Sequence, residues 1–112
     1  MKQILERLEG TLIKIEQGKL EYMNPDGQKK FYEGVFFFID NDGSEDRVRF
    51  PNNLLIHQDR LINQKIQYYE TLDSYFMNTV PSICVAIFEY SLIVLSGKLQ
   101  GHQFRSKVEL FD

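Results

Sequence analysis

Alternation dominates the chain from Thr11 onward. Thr11, Ile13 and Ile15 interleave with Leu12 and Lys14, the two-residue period of a strand. Gln17-Gly18 fits a two-residue hairpin turn, with Leu20 and Tyr22 on the returning strand. Asn24-Pro25-Asp26-Gly27 is a second turn, because Pro fixes φ and Gly accepts a positive φ. A long strand follows over 29–40, turned by Asn41-Asp42-Gly43-Ser44 and returning over 46–50. Pro51-Asn52-Asn53 ends that pair. Leu54 to Leu61 reads as a loop or a turn of helix. Further strands are predicted over 65–72, 82–96 and 104–110, and a polar loop with a few apolar anchors over 73–81. Upstream, Ile4, Leu5 and Leu8 fall at helical spacing with Gly10 placed to cap them. Residues 2–9 therefore predict a short N-terminal helix, or the start of a strand.

Six to eight short strands with Gly-rich turns predict an all-β domain. A small OB-like barrel of Greek-key type comes first and a β-sandwich second. The chain of 112 residues suits a single domain over 1–112, with 98–112 as a C-terminal strand extension.

Composition narrows the partners. Net charge is −3, so any nucleic-acid site must be a local basic patch rather than a whole-chain field. The aromatic residues, 13% of the chain, are Phe and Tyr alone, which suits strands. The single cysteine, Cys84, lies in an apolar run and excludes an intrachain disulfide. Together with the absence of a leader pattern in MKQILERLEG, this predicts a cytoplasmic protein. The most apolar stretch, Val80 to Gly97, carries Glu89 and is rich in Ile and Val; it reads as a buried strand rather than a membrane span.

The order of motifs resembles the cold-shock-type OB-fold. "GTLIKI" (Gly10 to Ile15) stands where that family opens its first strand. "GVFFFI" (Gly34 to Ile39) is similar to its first RNA-binding motif, and "DGSED" (Asp42 to Asp46) to the acidic turn before the second. "QKIQYYE" (64–70) and "PSICVAI" (81–87) look like its last two strands. Glu33 stands where the family has Lys, and Arg47 and Arg49 where it has Phe and His. The resemblance implies single-stranded RNA or DNA binding on the second and third strands. Phe37 would stack on a base, Arg47 and Arg49 would hold phosphates or stack, and Lys14 and Tyr68 would flank them. Polarity alone points the other way, to the face with Lys30 and Tyr32 as the exposed one. Adjacent tyrosines on a strand face opposite ways, so either Tyr68 or Tyr69 should reach the surface.

A second functional class is the alternative. The acidic balance and surplus Tyr suit a protein-interaction module, such as an inhibitor, immunity-type or complex-accessory subunit. Its acidic turn would dock on a basic partner protein, and pairing of an edge strand into a homodimer is a variant. No chemistry stands out. Counting back from Gly43 puts Phe38 at the first position of an EF-hand loop, so that motif fails. His57 and His102 lack zinc spacing, and no nucleophile elbow or phosphate loop occurs. The sequence thus predicts no catalytic residue, metal or cofactor.

Overall fold

The computed structural model describes residues 2–111. It is all-β, with six strands: β1 (Lys2–Met23), β2 (Lys29–Asn41), β3 (Ser44–Phe50), β4 (Lys65–Met77), β5 (Ile83–Val94) and β6 (Gln103–Phe111). They form one antiparallel sheet, ordered β3-β2-β1-β4-β5-β6, curled into a half-barrel. Strands β1 to β3 are successive hairpins, and β4 returns to lie beside β1. That is the Greek-key order expected from the sequence. The return passes through a 3-10 turn (Leu55–His57) and one short helix, α1 (Gln58–Leu61), whose Leu61 is buried in the core.

The chain departs from the sequence reading in its first 23 residues. Residues 2–9 take the strand alternative and not the helix, and no turn occurs at Gln17-Gly18. Instead β1 runs unbroken from Lys2 to Met23. Its first half pairs with β4 and its second half with β2, and Thr11 pairs with both Lys65 and Asp40. One strand can serve two neighbours because it bends. Its ladders are irregular between Ile4 and Glu6 and between Leu12 and Lys14, and an extra residue in a ladder kinks and twists the strand. The helical spacing of Ile4, Leu5 and Leu8 reflects the first irregularity, which breaks the two-residue period.

Gly18 marks a change of inward face. It pairs with Gly34 of β2. On one side of this pair Ile15, Val35 and Phe37 are buried; on the other side Leu20 and Tyr22, of opposite parity, are buried. Both glycines are required by close approach. A Cβ on Gly18 would come within 2.6 Å of the Phe36 ring, and one on Gly34 within 2.7 Å of Leu20 and against the Phe50 carbonyl. Two-stranded ribbons twist more than wide sheets, and here the twist swings the end of the β1–β2 ribbon over the inner face of β5. Tyr22 meets Phe88 edge-on at 5.1 Å, and its hydroxyl hydrogen-bonds that of Tyr90.

The sheet edge at β3 leans on the opposite strands through side chains. The Tyr68 hydroxyl donates to the Arg49 carbonyl at 2.6 Å, and the Ser106 hydroxyl donates to the Pro51 carbonyl at 3.0 Å. Phe50 packs against Tyr90.

The molecule is long, 50 × 24 × 24 Å, with a radius of gyration of 15.5 Å; a compact chain of this length would have about 13 Å. Much of the excess lies in the β4–β5 hairpin. The 73–81 segment is not a polar loop, because β4 continues as strand to Met77. Among the described residues, the pairing of β1 with β4 reaches Asp73, and that of β6 with β5 reaches Val85. Beyond Ser74 and Cys84, from Tyr75 to Ile83, the hairpin is a two-stranded arm among the described residues.

Candidate functional site

The strand period divides the five residues singled out in the sequence between two environments. Phe37 and Tyr68 are fully buried. Neither can stack on a ligand, so the outward Phe37 implied by the family resemblance is corrected. Val35, Phe37 and Ile39 all turn inward with Val48 and Phe50 of β3, which gives five apolar positions one continuous core face. Tyr69 is the tyrosine at the surface. It is half-buried, on the opposite face from Tyr68, with the Arg7 guanidinium 5.2 Å from its ring.

Lys14, Arg47 and Arg49 do share one face, together with Phe36 and Phe38. The ladders place Lys14 and Arg47 on either side of Phe38, and Glu16 and Arg49 on either side of Phe36. The side chains then cross to neighbouring rings: Arg47 lies 3.8 Å from the Phe36 ring centre, and Lys14 5.2 Å from that of Phe38. Lys14 also pairs with Glu16, an exposed contact of small energy. Among the described residues, neither arginine is held by Asp42, Glu45 or Asp46.

Arg49 has a different task. Its side chain is 28% exposed and reaches Glu70, which is 9% exposed, at 3.1 Å. It also donates to the Glu21 carbonyl and lies 4.2 Å from the Tyr22 ring. Glu70 accepts a second hydrogen bond from Tyr68. The result is a buried network of Arg49, Glu70, Tyr68, Tyr22 and Tyr90, in which the carboxylate is paired and hydrogen-bonded as burial demands. Burial pushes the Tyr68 hydroxyl far above its ordinary range, reinforced by the nearby Glu70 charge. It raises Tyr90 and Tyr22 as well. Burial lowers the Arg49 pKa, but the Glu70 hydrogen bond and the neighbouring tyrosines more than offset this and leave it raised. Glu70 was not foreseen. Its only signal is parity: Ile66, Tyr68 and Glu70 alternate with Gln67 and Tyr69.

The outer face of β4–β6 holds a shallow groove of about 700 Å³. Lys2 there faces Glu89 at 3.7 Å, Lys107 pairs with Glu109 at 2.8 Å, and Arg105 donates to Gln103. The groove is largely self-neutralised. Among the described residues no three His, Cys, Asp or Glu side chains converge as a metal site would need, and no helix is long and apolar enough to cross a membrane.

The arm differs from all of these. Tyr75 is 43% exposed, Phe76 71%, Met77 40% and Val80 fully exposed. Tyr75 and Met77 project from one face and Phe76 from the other. Charged residues are absent from Ser74 to Ile87. The acidic turn, Asp40 to Asp46, sits at the far end of β4, where Asp40 and Lys65 flank Thr11. The acidic and apolar surfaces therefore lie at opposite ends of the molecule. The run Tyr75-Phe76-Met77 was the available signal for the arm, because three large apolar residues in succession do not suit a solvated loop.

No protein-family model, curated protein or solved structure matches the chain.

Proposed function

We propose that the chain is a non-enzymatic protein-interaction module, of the inhibitor, immunity-type or accessory-subunit kind, and that the β4–β5 arm is its docking element. One observation carries this reading: an uncharged arm that leaves the sheet and exposes Tyr75, Phe76, Met77 and Val80. Contiguous exposed apolar surface of this kind marks interaction sites, and aromatic and Met side chains are enriched at interface centres. The partner is a protein with an apolar cleft wide enough for two strands. A basic surface on it is not required, because the acidic turn is remote from the arm. The lone cysteine suits a reducing compartment such as the cytoplasm.

A photo-crosslinking residue at Phe76 should capture one protein from the source cells. The purified partner should bind the wild-type chain at least about tenfold more tightly than the Phe76→Ser, Val80→Ser double variant. Recovery of no partner, or a partner indifferent to the double variant, would overturn the reading.

Single-stranded nucleic-acid binding is the second reading, favoured by the face on which Arg47 and Lys14 overlie Phe36 and Phe38. Stacked bases contribute about 1–3 kcal/mol each. Here a base must displace the cations already on the rings. Anisotropy titrations with oligo-dT and oligo-U at low salt test it; a flat response removes it.

A further inference from the structure

We infer that a second copy of this chain pairs with β6 in antiparallel fashion, about a two-fold axis through Val108, to give one continuous twelve-stranded sheet. The surface is independent of the arm. The two ends of the sheet, β3 and β6, are unequal. At the β3 end, the Tyr68 hydroxyl already reaches the Arg49 carbonyl, and the Pro51 carbonyl just beyond it accepts from Ser106 on the inner face of β6. At the other end, β6 runs from Gln103 to Phe111 in unbroken register with β5, without Pro, Gly or bulge. An edge of this length is a template for a further strand.

Natural edges are blunted by charge, and β6 carries Arg105, Lys107 and Glu109 on its outer face. The test of blunting is what each charge would meet. An axis through Val108 sets Lys107 opposite Glu109 of the second copy, and by symmetry Glu109 opposite Lys107. It sets Arg105 opposite Phe111, also twice. Phe111 is 44% exposed in the single chain, and a guanidinium over a ring is favourable. On the inner face Val108 meets itself and Ser106 meets Leu110. Other registers do worse. An axis through Lys107 opposes two lysines, one through Ser106 opposes Arg105 and Lys107, and one through Glu109 opposes two glutamates. Like charges directly opposite are destabilising. An axis between residues would set outer-face positions against inner-face ones, which the two-residue period forbids. Only the Val108 axis joins opposite charges with no like pair, as an isologous interface requires.

Analytical ultracentrifugation of the full chain tests this directly. The wild type should be dimeric in the micromolar range. Lys107→Glu alone and Glu109→Lys alone should each weaken the dimer at least about tenfold, a loss of about 1.4 kcal/mol, and the charge-swapped double variant should restore it. Circular dichroism checks that each variant remains folded. A second measurement needs no charge change at these positions. In a Cys84→Ser background, Arg105→Cys with Phe111→Cys should oxidise to a covalent dimer, because directly opposite residues lie within disulfide reach and the two positions are too far apart along β6 to close within one chain. A wild type that stays monomeric to about 100 μM overturns the proposal. So do single variants that dimerise normally, a double variant that is not restored, or cysteines that do not cross-link.

Discussion

Glu70 and Arg49 show how much of this barrel rests on a few polar side chains. Glu70 faces the core from β4 and is satisfied by Arg49 and Tyr68. Glu70→Ala would leave the half-buried Arg49 guanidinium without its carboxylate partner, while the Tyr68 hydroxyl would keep the Arg49 carbonyl as acceptor. Removing one member of a buried pair costs more than the pair is worth. Partial exposure of Arg49 screens some of this, so the expected loss is about 2–3 kcal/mol by urea unfolding. Arg49→Met in the Glu70→Ala background should add less than it costs alone, which a double-mutant cycle reads directly. The same network gives the protein an alkaline limit. The hydroxyl groups of Tyr68, Tyr90 and Tyr22 hold their protons more tightly folded than unfolded, chiefly through burial. Their contribution is complete below the unfolded value of about 10 and declines as pH rises beyond it. The urea midpoint should therefore fall above about pH 10, and less steeply in Tyr68→Phe.

At the scale of elements, the β1–β2 ribbon works because Gly18 and Gly34 let two strands and the Phe36 ring approach one another. Gly34→Ala would drive a methyl group into the Phe50 carbonyl and Leu20. Neither the carbonyl nor the adjacent Pro51 backbone can move freely, so a loss of at least about 2 kcal/mol is expected in thermal or urea unfolding. Gly18 also explains what the sequence concealed. Gln-Gly beside alternating apolar residues has the local chemistry of a hairpin, but only tertiary structure decides whether a glycine turns the chain or clears space for a ring. Strands β2 and β3 were legible because their periods are intact, and β5 because it is a long apolar run rich in Ile and Val. The N-terminal half of β1 was not, since an irregular ladder turned a period of two into something close to a helix. Phe37 and Tyr68 were misplaced for a related reason. Alternation establishes which residues share a face, yet a run apolar on both faces does not say which one the core will claim. The ladders set Lys14, Arg47 and Arg49 at positions of one parity, without Phe37, while the partner of Arg49 lay 21 residues away on another strand.

For the whole molecule, the division of labour is spatial. A half-barrel core holds one end, and among the described residues the arm from Tyr75 to Ile83 extends beyond the ladders of β1 and β6. If the arm serves a partner rather than the fold, it should be removable. Replacing residues 76–84 by Asn-Gly would join Tyr75 to Val85, which are already paired across the hairpin, through a turn suited to tight strand connections. The buried core residues Leu92, Tyr90, Leu110 and Val108 lie outside the deletion. The shortened chain should keep its thermal midpoint to within the few degrees that about 0.5 kcal/mol represents for a domain of this size, while losing the crosslinked partner. The intact arm should exchange its amide protons by local opening, well ahead of the β2 ladder. A shortened chain that unfolds would show instead that the arm supports the barrel. The exposure of Phe76 and Val80 would then need a structural explanation.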